Sequence, residues 1–195
     1  MAALVTFDTL TQLMLARKLF IGSTTYAGIA IPAYNATAQV FGLWNPAGSN
    51  VNVRLVKITL GIATAGTEAV AALGLSMVTN AGNALAGSGG PITAFTQTNT
   101  LPALLGDGAG AAAAPSAARF TLSATTIAPT FAYSIALSET AGSATTTAAG
   151  MAVQWMEHEF PGTGLAPGTY IGLGGSVAPG STFQVSLTWA EFAVS

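Results

Sequence analysis

Two stretches of this chain alternate with a period of two. Phe131, Tyr133, Ile135 and Leu137 are separated by Ala and Ser, and Phe183, Val185, Leu187 and Trp189 by Gln, Ser and Thr. Successive side chains of a β-strand point to opposite faces, so each stretch reads as a strand with one apolar face on a core. The eight large side chains are assigned to that core. Val51–Ile62 adds a subtler signal: Val51, Val53 and Leu55 share one phase, and Val56, Ile58, Leu60 and Ile62 the other. A strand changes face only by accommodating an extra residue, which predicts a bulge near Leu55 and Val56. By the same argument Phe192 and Val194, out of phase with Trp189, predict a second bulge near Ala190.

Further strands are expected at Ala38–Trp44, Ala69–Thr79, Arg119–Thr126, Gly150–Phe160 and Gly168–Gly174. The two regularly alternating stretches belong to strands over Phe131–Glu139 and Ser181–Val194. Gly and Pro punctuate them, most clearly at Asn45-Pro46-Ala47-Gly48-Ser49-Asn50. Three low-complexity stretches, 79–91, 106–118 and 141–150, read as long loops. Eight or so short strands with regular turn signals predict an all-β fold, a jelly-roll-like antiparallel β-sandwich over residues 38–195. Residues 1–37 are expected to form an arm with a short helix over roughly residues 9–20. Asp8 or Thr9 is its candidate N-cap, Thr9 and Gln12 fit a capping box, and Gly22 fits the C′ position. Leu10, Leu13, Met14 and Arg17 fall on one helical face and are the candidate contacts with a partner.

The side-chain inventory restricts the chemistry. Lys, Arg, Asp and Glu make up only 6% of 195 residues, against about 25% in an ordinary soluble domain. Ala, Gly and Thr supply 88 residues, so much of the surface must be small and neutral. Neutral groups cost less to desolvate than ions, which favours faces covered by further copies or by a larger assembly. With five cations and seven acids there is no electrostatic footprint for nucleic acid. Mean hydropathy is +0.58, yet no apolar run approaches the roughly 18 residues of a spanning helix. The start of the chain lacks the basic-then-apolar order of a signal peptide, and synthesis in the cytoplasm without membrane association is expected. There is no cysteine and a single histidine, His158, so neither a metal nor another cofactor is expected. In a strand, Glu157 and Glu159 share the face opposite His158, about 6.6 Å apart by strand rise. That spacing suits a carboxylate pair, but only five other acids exist and no Gly-x-Ser-x-Gly elbow is present. No enzymatic activity is expected. The glycines of 87–90 and 172–175 carry no P-loop lysine, and Trp44, Trp155 and Trp189 read as core.

Residues 38–62, AQVFGLWNPAGSNVNVRLVKITLGI, and 165–192, LAPGTYIGLGGSVAPGSTFQVSLTWAEF, carry a resemblance. A strand entering a Trp-Asn-Pro-x-Gly-Ser turn, a long strand after it, and a Pro-Gly-Thr-Tyr strand before a final strand ending Trp-Ala-Glu-Phe resemble the jelly-roll virion proteins of tailed bacteriophages, the head decoration or cement type. The resemblance implies a non-enzymatic structural protein on the capsid surface of a virion. It implies a homo-oligomer, preferably a trimer, that clamps neighbouring subunits of the major capsid protein and stabilises the shell. The alternative from the residues themselves is a receptor- or glycan-binding β-sandwich, of the tail-fibre or adhesin type. That reading calls for aromatic side chains on loops, whereas these loops are mostly Ala, Gly, Thr and Ser, with Phe95 an exception.

Overall fold

A computed structural model describes residues 8–33, 38–64, 73–78, 100–102, 116–121, 125–126, 130–135, 155–176, 178 and 180–194. Among them are one helix, α1 (Thr9–Leu15), and thirteen strands. Those before the low-complexity stretches are β1 (Leu19–Ser23), β2 (Ile29–Ala30), β3 (Ala38–Asn45), β4 (Val51–Thr64) and β5 (Leu73–Val78). The middle of the chain supplies β6 (Thr100–Pro102), β7 (Arg119–Thr121), β8 (Thr125–Thr126) and β9 (Thr130–Ile135). The last are β10 (Trp155–Glu159), β11 (Gly164–Leu165), β12 (Thr169–Gly175) and β13 (Thr182–Ala193).

The principal strands pair in a nested order, all antiparallel: β1 with β13, β3 with β12, β4 with β10, and β5 with β9. Two further ladders, β13 with β4 and β12 with β5, join these hairpin-like pairs into sheets. The result is a jelly roll. The first sheet runs β10-β4-β13-β1-β6, with β11 beside β4 and β2 beside β13. The second runs β7-β3-β12-β5-β9, with β8 beside β3. The short strands β6, β7 and β8 come from the segment between β5 and β9. They extend the two sheets past β1 and β3 respectively.

The core lies between the sheets. Phe183, Val185, Leu187 and Trp189 face it and are buried, as their alternation requires. Opposite them sit Leu43, Leu73, Leu75, Phe120, Ile171 and Leu173. An aromatic chain links the sheets at one end: Phe20 stacks on Trp189 at 5.9 Å, Trp189 on Phe120 at 6.1 Å, and Phe120 meets Phe41 edge-on at 4.8 Å. Gly22 leaves room for this chain, since a Cβ there would stand 2.7 Å from the Phe120 ring. Such contacts add stabilisation beyond the area they bury.

The bulge expected near Leu55 and Val56 is present. Thr188 opposes Lys57 and Trp189 opposes Leu55, leaving Val56 as the extra residue. Its carbonyl accepts the N–H of Phe160 at 2.9 Å, so the break in the ladder leaves this acceptor satisfied. The bulge expected near Ala190 is absent. The register runs without a shift from Trp189 opposite Leu55 to Ala193 opposite Val51. Phe192 keeps the outward phase of Thr188 and is exposed, and the inward position after Trp189 belongs to Glu191. Phe131, Tyr133 and Ile135 lie on β9, whose side chains are outside the described residues, as is Leu137.

The arm is shorter than the expected 1–37. β1 and β2 are sheet strands, and Phe20 and Ile31 are 1% exposed in the core. The helix stops at Leu15 instead of near residue 20, and Gly22 lies inside β1. The stop is a Schellman turn: Lys18 N–H donates to Leu13 O at 2.8 Å and Arg17 N–H to Met14 O at 3.0 Å. Arg17, not a glycine, takes the left-handed C′ conformation at φ 56°. Its expected place on the helical face is lost with it.

Candidate functional site

The candidate contacts come together at one corner of the first sheet. Asp8 caps α1 by accepting the Thr11 N–H at 2.9 Å and the Thr11 hydroxyl at 2.7 Å. The Thr11 N–H, and then its hydroxyl, hold the Asp8 carboxyl below the ordinary carboxylate range. Thr9 is the first helical residue rather than the cap. α1 packs against β1 but has no fully buried side chain. Of the four expected contacts, Leu13 and Met14 are half-buried while Leu10 and Arg17 are exposed. Leu15, outside that set, is exposed as well.

The Lys18 carbonyl accepts the Glu191 N–H at 2.9 Å, which sets the end of α1 beside the end of β13. Leu19 lies opposite Ala190, and Ala190 opposite Arg54. On this outer face Leu19 and Ala190 are buried, whereas the next outward residue of β13, Phe192, is 38% exposed. Val194 follows at 48%. Phe192 was hidden from sequence reasoning because its outward phase resembled a bulge.

Glu191 was hidden for a different reason. It occupies an inward position and is 3% exposed. Its carboxylate accepts the Ser116 hydroxyl at 2.7 Å, the Ala118 N–H at 2.9 Å and the Ala117 N–H at 3.0 Å. Donors 73 to 75 residues away thus hold a buried charge that would otherwise be very costly. Only the acid itself is local; nothing near it in sequence announces the donors. The arrangement ties the segment before β7 to the last strand.

A second polar node lies close by, at the same end of β4. Asn45, fully buried, donates to Val51 O at 2.8 Å and Leu165 O at 2.9 Å and accepts the Ser49 hydroxyl at 2.6 Å. The Asn-Pro-x-Gly-Ser turn therefore carries the chain from the second sheet to the first and holds β11 as well.

The edge strand β10 carries the residues once considered for catalysis. Glu157 and Glu159 are exposed, as their shared face predicts, and His158 is half-buried with its ring edge-on to Phe160 at 5.0 Å. Glu157 accepts from Lys57 Nζ at 3.1 Å. Among the described residues no three of His, Cys, Asp and Glu are grouped to hold a metal ion. No described helix is long and apolar enough to cross a membrane. Trp189 is buried in the core, Trp44 is buried on the outer face of the second sheet instead, and the Trp155 side chain lies outside the described residues. In comparisons with known proteins, no family model matches the chain, and no curated protein or solved structure does.

Proposed function

We propose that the protein is a non-enzymatic virion structural protein, a decoration protein that binds the outer capsid surface as a homo-oligomer, preferably a trimer, and stabilises the shell. One observation carries this reading most directly. The two stretches that resemble phage decoration proteins, 38–62 and 165–192, contain β3, β4, β12 and β13 and pair with each other, β3 with β12 and β4 with β13. The resembling residues are the centre of both sheets. Along β13 the outward Gln184, Ser186 and Thr188 form a neutral polar strip, a surface that buries at low cost. Attachment would draw on several modest contacts multiplied by avidity.

The test is binding to empty capsids assembled from the major capsid protein encoded in the same genome, compared with binding to its unassembled subunits. The expected result is saturable binding to shells, at least about a hundredfold tighter than to free subunits. Equal affinity for both, or no binding to shells, overturns the reading. Deleting residues 1–17 then tests the helix: the sandwich should persist, because β1 remains, while attachment weakens if α1 contributes.

A further inference from the structure

The exposed apolar and cationic side chains concentrate at one corner. Among the described residues the large apolar side chains that are exposed are Leu10 and Leu15 on α1, Phe192 and Val194 at the end of β13, and Tyr26 elsewhere. Arg17 and Lys18 follow α1 directly, and Arg54 flanks Ala190 on the neighbouring strand; all three are exposed. Apolar side chains ringed by cations select a partner with carboxylates around an uncharged surface.

Self-pairing of this corner about a two-fold axis would set its cations against their own copies, which is unfavourable. The β10 edge of the same sheet, next to β4, offers the complement. There Glu159 and Glu157 are exposed on β10, beside half-buried Met156 and exposed Pro161. The other described carboxylates are engaged within the chain, Asp8 as the helix cap, Glu191 in the core and Glu157 with Lys57, so the acidic complement rests on Glu159. Contact between unlike patches is heterologous and closes into a ring when the rotation permits.

We infer that a second copy of this chain docks on the α1–β13 corner through its β10 edge, head to tail, so that copies form a cyclic oligomer. This rests on the homo-oligomer part of the function proposed above and names the surfaces involved. Phe192 is the apolar anchor, and Lys18 faces Glu159 of the next copy.

Sedimentation velocity on the full chain at micromolar concentration tests it, with circular dichroism to verify each fold. Phe192→Asp should weaken association about tenfold or more, and its exposure leaves the sandwich intact. Lys18→Glu and Glu159→Lys should each weaken association several-fold. Combined in one chain they should restore it to within about threefold, since every contact again joins opposite charges. A monomeric wild-type chain, association indifferent to Phe192→Asp, or charge reversals that do not rescue each other would overturn the inference. Shell binding by the same variants keeps the two proposals apart: a wild-type monomer that still binds capsids refutes the ring alone, and a ring that ignores capsids refutes decoration alone.

Discussion

Along β13 the outward side chains Gln184, Ser186 and Thr188 are polar and reach solvent, whereas along β12 all seven residues are buried. The first sheet keeps one wet face, on which the Thr59 and Ser186 hydroxyls share a hydrogen bond of 2.5 Å. In the second sheet, Tyr170 and its cross-strand partner Trp44 are buried on the face away from the core, with the Arg119 guanidinium 5.7 Å from the Trp44 ring centre. Gly42, between the core residues Phe41 and Leu43, lies under the Tyr170 ring. A strand with one dry face shows its alternation; a strand dry on both faces does not. The contrast explains why Phe183–Trp189 declared its core residues so plainly while TYIGLGG showed only β-propensity.

The sharpest way to break this comparison is to truncate one outward side chain in each sheet. Tyr170→Ala should cost about 3–5 kcal/mol, as for any large buried ring, while Gln184→Ala should change stability by less than about 0.5 kcal/mol. Equal effects in urea unfolding would refute the distinction between the faces. Next in size is Glu191→Ala, which takes the acceptor from the buried Ala118 amide and from that of Ala117 and should cost about 3 kcal/mol. Cleavage by protease near residues 116–118 should also quicken. A loss under about 0.5 kcal/mol would mean the tie to β13 is incidental. Gly42→Ala follows at about 1–3 kcal/mol, because its Cβ overlaps the Tyr170 ring and neither sheet nor ring moves freely. The smallest effect has the opposite sign. Arg17→Gly should stabilise by about 0.5–1 kcal/mol at most, by relieving the left-handed backbone at φ 56°. A destabilising result would show that the Arg17 side chain outweighs its backbone strain.

What could be read in advance followed from local rules. The phase change at Val56 required a bulge, and the Asn45–Asn50 turn required a reversal; both follow from neighbouring residues. The inner face of β13 was legible for the same reason. The errors arose where distant residues decide. Glu191 is tolerable inside only because Ser116–Ala118 supply donors, so its inward phase was unreadable and Phe192 was mistaken for the sign of a bulge. LFIGS looked like the tail of a helix because its strand partner, Ser186–Ala190, lies at the other end of the chain. The corner of Lys18, Arg54 and Phe192 joins three segments whose adjacency exists only after folding.

The nested pairing bears on how the chain is made. Leu19 pairs with Ala190, 171 residues later, and every principal ladder inside that one closes a shorter loop. At synthesis rates of 5–20 residues per second, β1 leaves the ribosome roughly 10–30 s before its partner exists. Contacts so distant in sequence make for high contact order and slow folding. During that interval an apolar strand edge stands open, in a chain with few charges to keep copies apart. Strand β5 and its partner β9 enclose the innermost loop, so they can pair first, with β4 and β3 adding outward as β10 and β12 emerge. Assembly by this route ends with β13, whose arrival seals both Trp189 and Glu191 at once.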